Sequence, residues 1–232
     1  MYAPGKAYGG LGNITSRVLM LLSAEGLIVR GHRRGGWSSG QFQWFPVEAW
    51  LSGTVPLPEP AVARVELAHR WLLAFGPAPV SDLQWWTGWT GSQVKAALAA
   101  LPVAEVDLDG QPGVILAEDV ASVPAAPPCA VLLPALDPTP MGWQSREWFL
   151  GGHAPALFDR TGNIGPSVWW DGRVVGGWAQ RSSGEIVYRL LDDAGHDAVA
   201  AVTAEAAQLE QWLGDLRVTP RFRTPLERDL TA

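Results

Sequence analysis

The sequence concentrates positive charge in residues 30–36, RGHRRGG. Arg30, Arg33 and Arg34 surround His32, and the two glycines that follow are typical of a tight turn. A guanidinium carries paired N–H donors that match the oxygens of a phosphate group. The pattern therefore indicates an anion-binding loop. The alternative interpretation is a solvated turn, because arginines beside glycines are often only that.

Two short strands are predicted to present this loop. The apolar segment LIVRG precedes it, and the alternating segment QFQWF follows it and stops at Pro46. Upstream, a run of helix formers ended by Gly26 predicts a helix over residues 15–25. This order is the later half of a winged helix, a recognition helix followed by its wing. Residues 1–10 are too rich in glycine to supply the earlier helices, so we interpret residues 1–54 as a partial winged helix.

This interpretation selects candidate DNA-binding residues. Phosphates are the part of DNA that a hairpin tip meets, so the wing cations are the first candidates. The start of the predicted helix also offers N–H groups to a phosphate or a groove. Trp37 lies at the wing tip, where we do not expect a core role. The predicted DNA-binding residues are Ser16, Arg17, Arg30, His32, Arg33, Arg34, Trp37, Gln41 and Gln43.

The distribution of charge supports a local basic patch. The net charge of −6 opposes a polyanionic partner, yet residues 1–50 hold five cations and two carboxylates, a net charge of +3. The rest of the chain therefore carries −9. A second basic cluster lies near the C-terminus and is expected to assist the wing; it comprises Arg217, Arg221, Arg223 and Arg228.

Proline-rich segments divide the remaining chain into further predicted units. VPLPEPA opens a second winged helix over residues 55–123, with three helices and a two-stranded wing within residues 62–119. That second wing is acidic, so we expect it to be structural. PAAPP opens a β-rich domain over residues 124–216, in which a helix over about residues 198–213 packs on the strands through its alanines, Leu209, Trp212 and Leu213. Residues 217–232 are predicted to be an extended tail. The predicted fold class is α+β.

Two groups of residues are assigned to the core. The only cysteine, Cys129, lies in an apolar run and is predicted to be a small core residue. Thirteen tryptophans are many for this length, and we expect most of them to be buried. Those predicted to be in the core are Trp44, Trp71, Trp85, Trp86, Trp89, Trp178 and Trp212.

The sequence argues against a metal, a cofactor and a membrane. His69, His153 and His196 are scattered, and one cysteine has no partner, so we expect no metal site and no cofactor. The glycine-rich segment AYGGLGN lacks the strand and the lysine of a nucleotide-binding loop. The apolar stretches are too short to cross a bilayer and no leader opens the chain, so we expect a cytoplasmic protein.

Two aspartates have two interpretations each. Asp137 in LLPALDP and Asp159 in LFDRTGN are carboxylates that could orient a water molecule for hydrolysis. They could equally start or cap turns, because Asp137 precedes a proline and Asp159 precedes Thr161 and Asn163. The structural interpretation is favoured for both.

Five segments together resemble one protein family, over essentially the whole chain and in the same order. The resemblance is to the winged-helix proteins related to AlkZ and YcaQ, bacterial DNA glycosylases that act on crosslinked or bulky alkylated purines. It implies tandem winged helices followed by a β-rich domain, a concave basic surface for duplex DNA, and hydrolysis of a base-to-sugar bond in active members. The segments are TSRVLMLLSAEGLIVRGHRRGGWSSGQFQWFP, LAFGPAPVSDLQWWTGWT, LLPALDPTPMGW, LFDRTGNIGPSVWWDGRVVGGWAQR and RFRTPLERDL.

The chain departs from this family in one respect. Members are usually longer, and the catalytic Gln-x-Gln motif of the glycosylases lies in an additional N-terminal portion. Gln41-Phe42-Gln43 has the same spelling, but it lies on the second wing strand, where strand alternation explains it without chemistry. We therefore assign no catalytic residue and leave glycosylase activity open. We expect a fragment or shortened relative that binds double-stranded DNA, with alkylated or crosslinked DNA included. The alternative is a non-catalytic transcription regulator or a protein-interaction module.

Overall fold

A computed structural model describes residues 14–36, 39–53, 56–121, 123–218, 220 and 222–232. The chain divides into two units, Met1–Pro60 and Ala61–Ala232. The described part of the first unit contains helix α1 (Ile14–Ala24), strands β1 (Ile28–Arg33) and β2 (Phe42–Pro46), and helix α2 (Val47–Leu51).

The predicted helix, strand, loop and strand are confirmed in the first unit. Helix α1 ends because Gly26 adopts a positive φ of 70°, which lets Leu27 N–H donate to the Leu22 carbonyl at 2.9 Å. Helix α2 was not predicted. It begins directly after Pro46, and Val47 N–H donates to the Leu27 carbonyl at 3.0 Å, so α2 is fastened to the start of β1.

The predicted three helices and hairpin open the second unit. They are α3 (Pro60–Phe75), α4 (Val80–Thr87), α5 (Gly91–Ala99), β3 (Val103–Leu108) and β4 (Gln111–Leu116). Helix α5 begins at a capping box, in which Thr90 and Gln93 each accept a hydrogen bond from the other's backbone N–H. Asp109 and Gly110 both have positive φ angles, 53° and 89°, as a two-residue hairpin turn of this twist requires. Trp71, Leu72 and Leu83 fill the core beneath these helices.

A four-stranded antiparallel sheet follows within residues 130–190. Its strand order is β5 (Ala130–Leu133), β6 (Ser167–Trp170), β7 (Arg173–Gln180) and β8 (Ile186–Leu190). Short helices α6 (Glu147–Leu150) and α7 (Ala154–Leu157) lie between β5 and β6 in the chain. Phe149 stacks on Trp169 with ring centroids 5.2 Å apart, which ties α6 to the sheet.

Helix α8 (Gly195–Leu213) covers the sheet, but one predicted contact is wrong. Its buried residues Ala198, Val202 and Ala206 recur every four positions, and their small size lets the helix approach the strands closely. Trp212 lies off that stripe and is 79% exposed, so it is not a core residue. Alanine content therefore predicted the packing face better than the large apolar residues did.

Other burial predictions were wrong for a similar geometric reason. Helix α4 turns Asp82 and Leu83 inward, which leaves Trp85 and Trp86 on its outer face, 40% and 42% exposed. Cys129 is exposed because β5 starts only at Ala130. The remaining tryptophans assigned to the core are buried or half-buried.

The predicted extended tail contains a helix. Residues 225–230 form α9 (Pro225–Leu230), which buries Leu226 and Leu230 against β7 and α7. Thr224 caps it by accepting a hydrogen bond from Glu227 N–H at 3.3 Å. A threonine followed by proline and, two residues later, glutamate is a helix-start pattern that could have predicted α9 from the sequence. In the described parts of both units, no helix is long and apolar enough to span a bilayer.

Candidate nucleic-acid interface

The predicted wing consists of strands β1 and β2 and the loop between them, and is called the wing below. It is an irregular antiparallel hairpin. Strands β1 and β2 pair Ile28 with Pro46, Val29 with Phe45 and Arg30 with Trp44, and the register then slips so that Arg33 pairs with Phe42. The slip places two residues of β1 where regular pairing would place one, which is a β-bulge. Because side chains alternate along a strand, such a bulge changes which side chains share a face.

The bulge brings Arg30 and Arg33 together on one face. In a regular strand, two side chains that are three residues apart point to opposite faces of the sheet. The guanidinium of Arg30 lies over the rings of Phe42 and Trp44, at 4.8 and 5.2 Å, and that of Arg33 lies 4.9 Å from the centre of Phe42. Both guanidiniums thus contact the Phe42 ring, and cation–π contacts of this kind orient the two cations on one face of the hairpin.

His32 belongs to the opposite face of the hairpin. Its ring makes edge contacts with Phe45 and Trp50, at centroid distances of 6.5 and 4.9 Å. Phe45 and Trp50 also contact each other, at 5.0 Å, and join β2 to α2. His32 therefore lies on a different face from Arg30 and Arg33. We propose that it supports the hairpin through its contacts with Phe45 and Trp50.

The loop at the tip is held by backbone hydrogen bonds. Arg34 N–H donates to the Gln41 carbonyl at 2.9 Å, and Ser39 N–H donates to the Gly36 carbonyl at 2.9 Å. Arg33 also donates from its guanidinium to the Ser39 carbonyl at 3.3 Å. Arg34 is exposed, and residues 28–46 contain no acidic residue. The described cations of the wing thus lie on an exposed hairpin without an acidic neighbour in sequence.

Gln41 and Gln43 lie on an exposed ribbon. Gln41 precedes β2, and Gln43 is the exposed residue between the half-buried Phe42 and Trp44. A glutamine pair that positions a water for hydrolysis needs a recess that holds the scissile bond and limits solvent. The exposed β2 position of Gln43 favours contact with a passing strand over catalysis.

The other predicted site residues belong to other segments of the chain. Ser16 and Arg17 are exposed in the first turn of α1. Trp37 lies outside the described residues. Among the C-terminal cations, Arg221 is likewise outside them, and Arg217 donates to four backbone carbonyls, of Ser182, Ser183, Gly214 and Leu216. Arg217 therefore fastens a loop, and its expected role beside the wing is not supported by its contacts.

The two aspartates with alternative interpretations lie in turns. Asp137 accepts a hydrogen bond from Thr139 N–H at 2.9 Å. Asp159 accepts from Asn163 N–H at 2.9 Å and from both the N–H and the hydroxyl of Thr161 at 2.8 Å. These bonds, above all that from Asn163 N–H, hold the pKa of the Asp159 carboxyl well below its usual range. Asp159 is thus a poor proton acceptor, and its contacts fit the turn interpretation.

One prediction concerns the support of the wing. A Cβ at Gly31 would lie 2.6 Å from the Phe45 ring and 2.8 Å from the Trp50 ring, whereas a Cβ at Gly40 meets nothing within 4 Å. Gly31→Ala must therefore displace the aromatic cluster, and we expect about fivefold weaker binding to a 20-base-pair duplex, a shift of about 1 kcal/mol. Gly40→Ala on the same hairpin is the control. Equal affinities of the two variants, measured by fluorescence anisotropy, would contradict a supporting role for the cluster.

Comparison with known proteins assigns this chain to a protein family. A family model described as DNA glycosylase AlkZ-like matches residues 3–212. The interstrand DNA cross-link repair glycosylase of Streptomyces sahachiroi is 28% identical over 215 residues, covering 88% of this chain and 57% of that protein. The solved structure of Streptomyces sahachiroi DNA glycosylase AlkZ superposes with a TM-score of 0.71 at 24% identity, covering 85% of this chain and 56% of that one. This chain thus spans somewhat more than half the length of the relative.

Proposed function

Because the chain belongs to the AlkZ-like family of DNA glycosylases, we propose that it binds duplex DNA through the wing of β1, β2 and the loop between them. The observation that carries this proposal is that Arg30 and Arg33 share one face of the hairpin, Arg30 over the rings of Phe42 and Trp44 and Arg33 over that of Phe42. Two adjacent guanidiniums on an exposed hairpin fit neighbouring phosphates of one strand.

The wing contacts position the protein and do not specify a base sequence. Arginines that meet phosphates bind every sequence, and their contribution appears as a dependence on salt concentration. Arg30, Arg33 and Arg34, each neutralising one phosphate, would give a slope of about −2.7 in a plot of log affinity against log salt. Ser16 and Arg17 on α1 are the candidates for contacts in or beside a groove.

The damage class follows from the family. The curated relative is a glycosylase that repairs interstrand DNA cross-links, and we propose crosslinked or alkylated DNA as the DNA that this chain binds. In an active member, a polarised water would attack the sugar carbon of the modified purine and release the base, with no cofactor consumed. We assign no residue of this chain to that step.

A second candidate function is binding without excision. The exposed position of Gln43 on β2 favours it, because a catalytic glutamine needs a recess that limits solvent. Release of a modified base from a duplex containing 7-alkylguanine separates the two functions. Base release by this chain, abolished by Gln41→Ala together with Gln43→Ala, would establish catalysis by these residues; binding without release would establish the second function.

The proposed binding is tested by titrating a labelled 20-base-pair duplex with the protein at several salt concentrations. We expect affinity to fall steeply from 50 to 200 mM salt and to differ little between unrelated base sequences. An affinity that does not change with salt would remove phosphate neutralisation as the basis of binding.

A further inference from the structure

A cavity of about 520 Å³ opens on the second unit, formed by residues that the proposed function does not use. The turn after α7 supplies Phe158 and Arg160, and the segment that leads into and through α9 supplies Phe222, Arg223, Pro225 and Arg228. Its volume is in the range that holds a small organic ligand. Its lining has a cationic half, formed by guanidiniums, and an aromatic half, formed by phenylalanine and proline rings. Each half suits a different chemical group.

The cationic half suits a phosphate. Arg160 and Arg228 are exposed side chains, and among the described residues neither forms an ion pair. Arg223 is committed elsewhere, since it lies 3.4 Å from the buried carboxylate of Glu227 and also bonds Thr231. Two guanidiniums without an ion pair, on opposite chain segments of one cavity, can each donate to a phosphate oxygen.

The one acidic residue of the lining is already occupied. Asp159 directs its carboxylate into its own turn, where Thr161 and Asn163 donate to both of its oxygens. These donors hold Asp159 in the turn, so its neighbour Arg160 contributes a charge to the cavity that no local carboxylate pairs with. The cavity therefore has a net positive lining.

The aromatic half suits a nucleobase. Phe222 is 56% exposed although it is a large apolar side chain, and Pro225 and Phe158 line the same cavity. One face of Phe158 is covered by the Arg146 guanidinium at 4.9 Å, and the same guanidinium lies 5.5 Å from the centre of the Trp85 ring. Phenylalanine rings beside arginines are the combination that single-stranded nucleic acids bind, because unpaired bases offer their ring faces for stacking.

We propose that this cavity binds one unpaired nucleotide of a DNA strand, with its phosphate held by Arg160 and Arg228 and its base against Phe222. The inference rests on the proposed function, since it assigns the second unit a contact with the same class of polymer. It differs from the wing contact in what it recognises. A paired base in a duplex has both faces stacked on its neighbours, so the cavity selects strand ends, gaps and displaced strands.

The experiment uses fluorescein-labelled pentathymidylate, and fluorescence anisotropy measures its affinity for the full chain. Arg160→Ala together with Arg228→Ala, and Phe222→Ala alone, should each weaken pentathymidylate binding about tenfold. These side chains are exposed, and unchanged thermal unfolding would show that the variants are folded. Arg70→Ala with Arg173→Ala removes two exposed charges outside the cavity and should leave pentathymidylate affinity unchanged.

The outcomes separate this proposal from the proposed function. Unchanged pentathymidylate affinity in the cavity variants overturns the proposal. It is also overturned if Phe222→Ala binds pentathymidylate normally and inorganic phosphate displaces the labelled oligonucleotide as well as unlabelled pentathymidylate does, because the site would then bind phosphate alone. Arg33→Ala with Arg34→Ala should lose duplex affinity and keep pentathymidylate affinity. A wild-type chain that binds pentathymidylate in the cavity but not a duplex would overturn the proposed wing function alone.

Discussion

Replacing Arg33 and Arg34 together by alanine is expected to weaken duplex binding by about 30-fold at 0.15 M salt. That factor is the counterion-release contribution of two phosphate contacts, each of which changes the slope of log affinity against log salt by about 0.9. The same variant should therefore flatten the slope by about two. The loss should be similar for every base sequence, because phosphates are common to all of them.

The control for this prediction is a variant of equal charge. Arg70→Ala with Arg173→Ala lowers the net charge by the same amount, but it removes exposed cations of the second unit. It should change duplex affinity less than threefold, on the order of what a screened charge without a phosphate contact contributes. Similar losses in the two double variants would mean that net charge, not the wing, determines binding.

Replacing Asp82 by alanine is expected to lower the free energy of unfolding by about 2 kcal/mol. Asp82 on α4 is fully buried, and its carboxylate accepts a hydrogen bond from Ser145 N–H at 3.3 Å, which links α4 to the segment before α6. Alanine leaves that N–H without an acceptor and removes the negative charge that faces Arg146. Asp107→Ala is the control, because Asp107 accepts one backbone hydrogen bond from Gly110 on an exposed turn. Chemical denaturation should show a smaller loss, under about 1 kcal/mol, for that control.

Replacing Asp82 by asparagine is expected to remove the dependence of stability on pH that the buried charge imposes. Burial raises the pKa of Asp82, although the Ser145 N–H and Arg146 oppose the rise. The folded chain therefore binds this proton more tightly than the unfolded chain does, so protonation stabilises the fold. The contribution of Asp82 to the free energy of unfolding falls as the pH rises from about 3.9, the ordinary pKa of aspartate, through the raised value.

The measurable quantity is the difference in free energy of unfolding between the asparagine variant and the wild type. Asparagine keeps an oxygen for Ser145 N–H and carries no charge, so this difference should increase in favour of the variant as the pH rises above about 4. The difference also cancels the titration of Glu227, whose pKa is likewise raised by burial. A difference that stays constant from pH 4 to pH 7 would contradict the assigned role of the buried charge.

Local signals in the sequence predicted the elements well. Gly26 predicted the end of α1, where it has a positive φ. Signals of the same local kind lie at Thr90, which caps α5, and at Asp109-Gly110 and Asp171-Gly172, turn residues whose φ angles are all positive. The family resemblance and the α+β class were also confirmed. The helix ends and turns depend on neighbouring residues alone, which is why a single sequence predicts them.

Features that depend on distant contacts were not predictable in the same way. The slip between Arg30 and Arg33 decides which wing cations share a face, and no pattern in RGHRRGG marks it. His32 was grouped with the arginines because it is adjacent in sequence, whereas its ring lies against Trp50 of a helix that was not predicted. Arg217 was grouped with the C-terminal cations, and only the fold shows that four carbonyls occupy it. The cavity between the turn after α7 and α9 joins segments about 60 residues apart in sequence.

The most direct test of the central claim is photo-crosslinking from two hairpins, β1–β2 and β3–β4. Gln41 follows the basic loop just before β2, and Gln111 follows the acidic turn at the start of β4; both are exposed glutamines at equivalent positions. A benzophenone amino acid in place of Gln41 should crosslink to a duplex, and the same probe in place of Gln111 should not. Crosslinking from Gln111 but not from Gln41, with duplex affinity retained in both variants, would contradict binding through the wing.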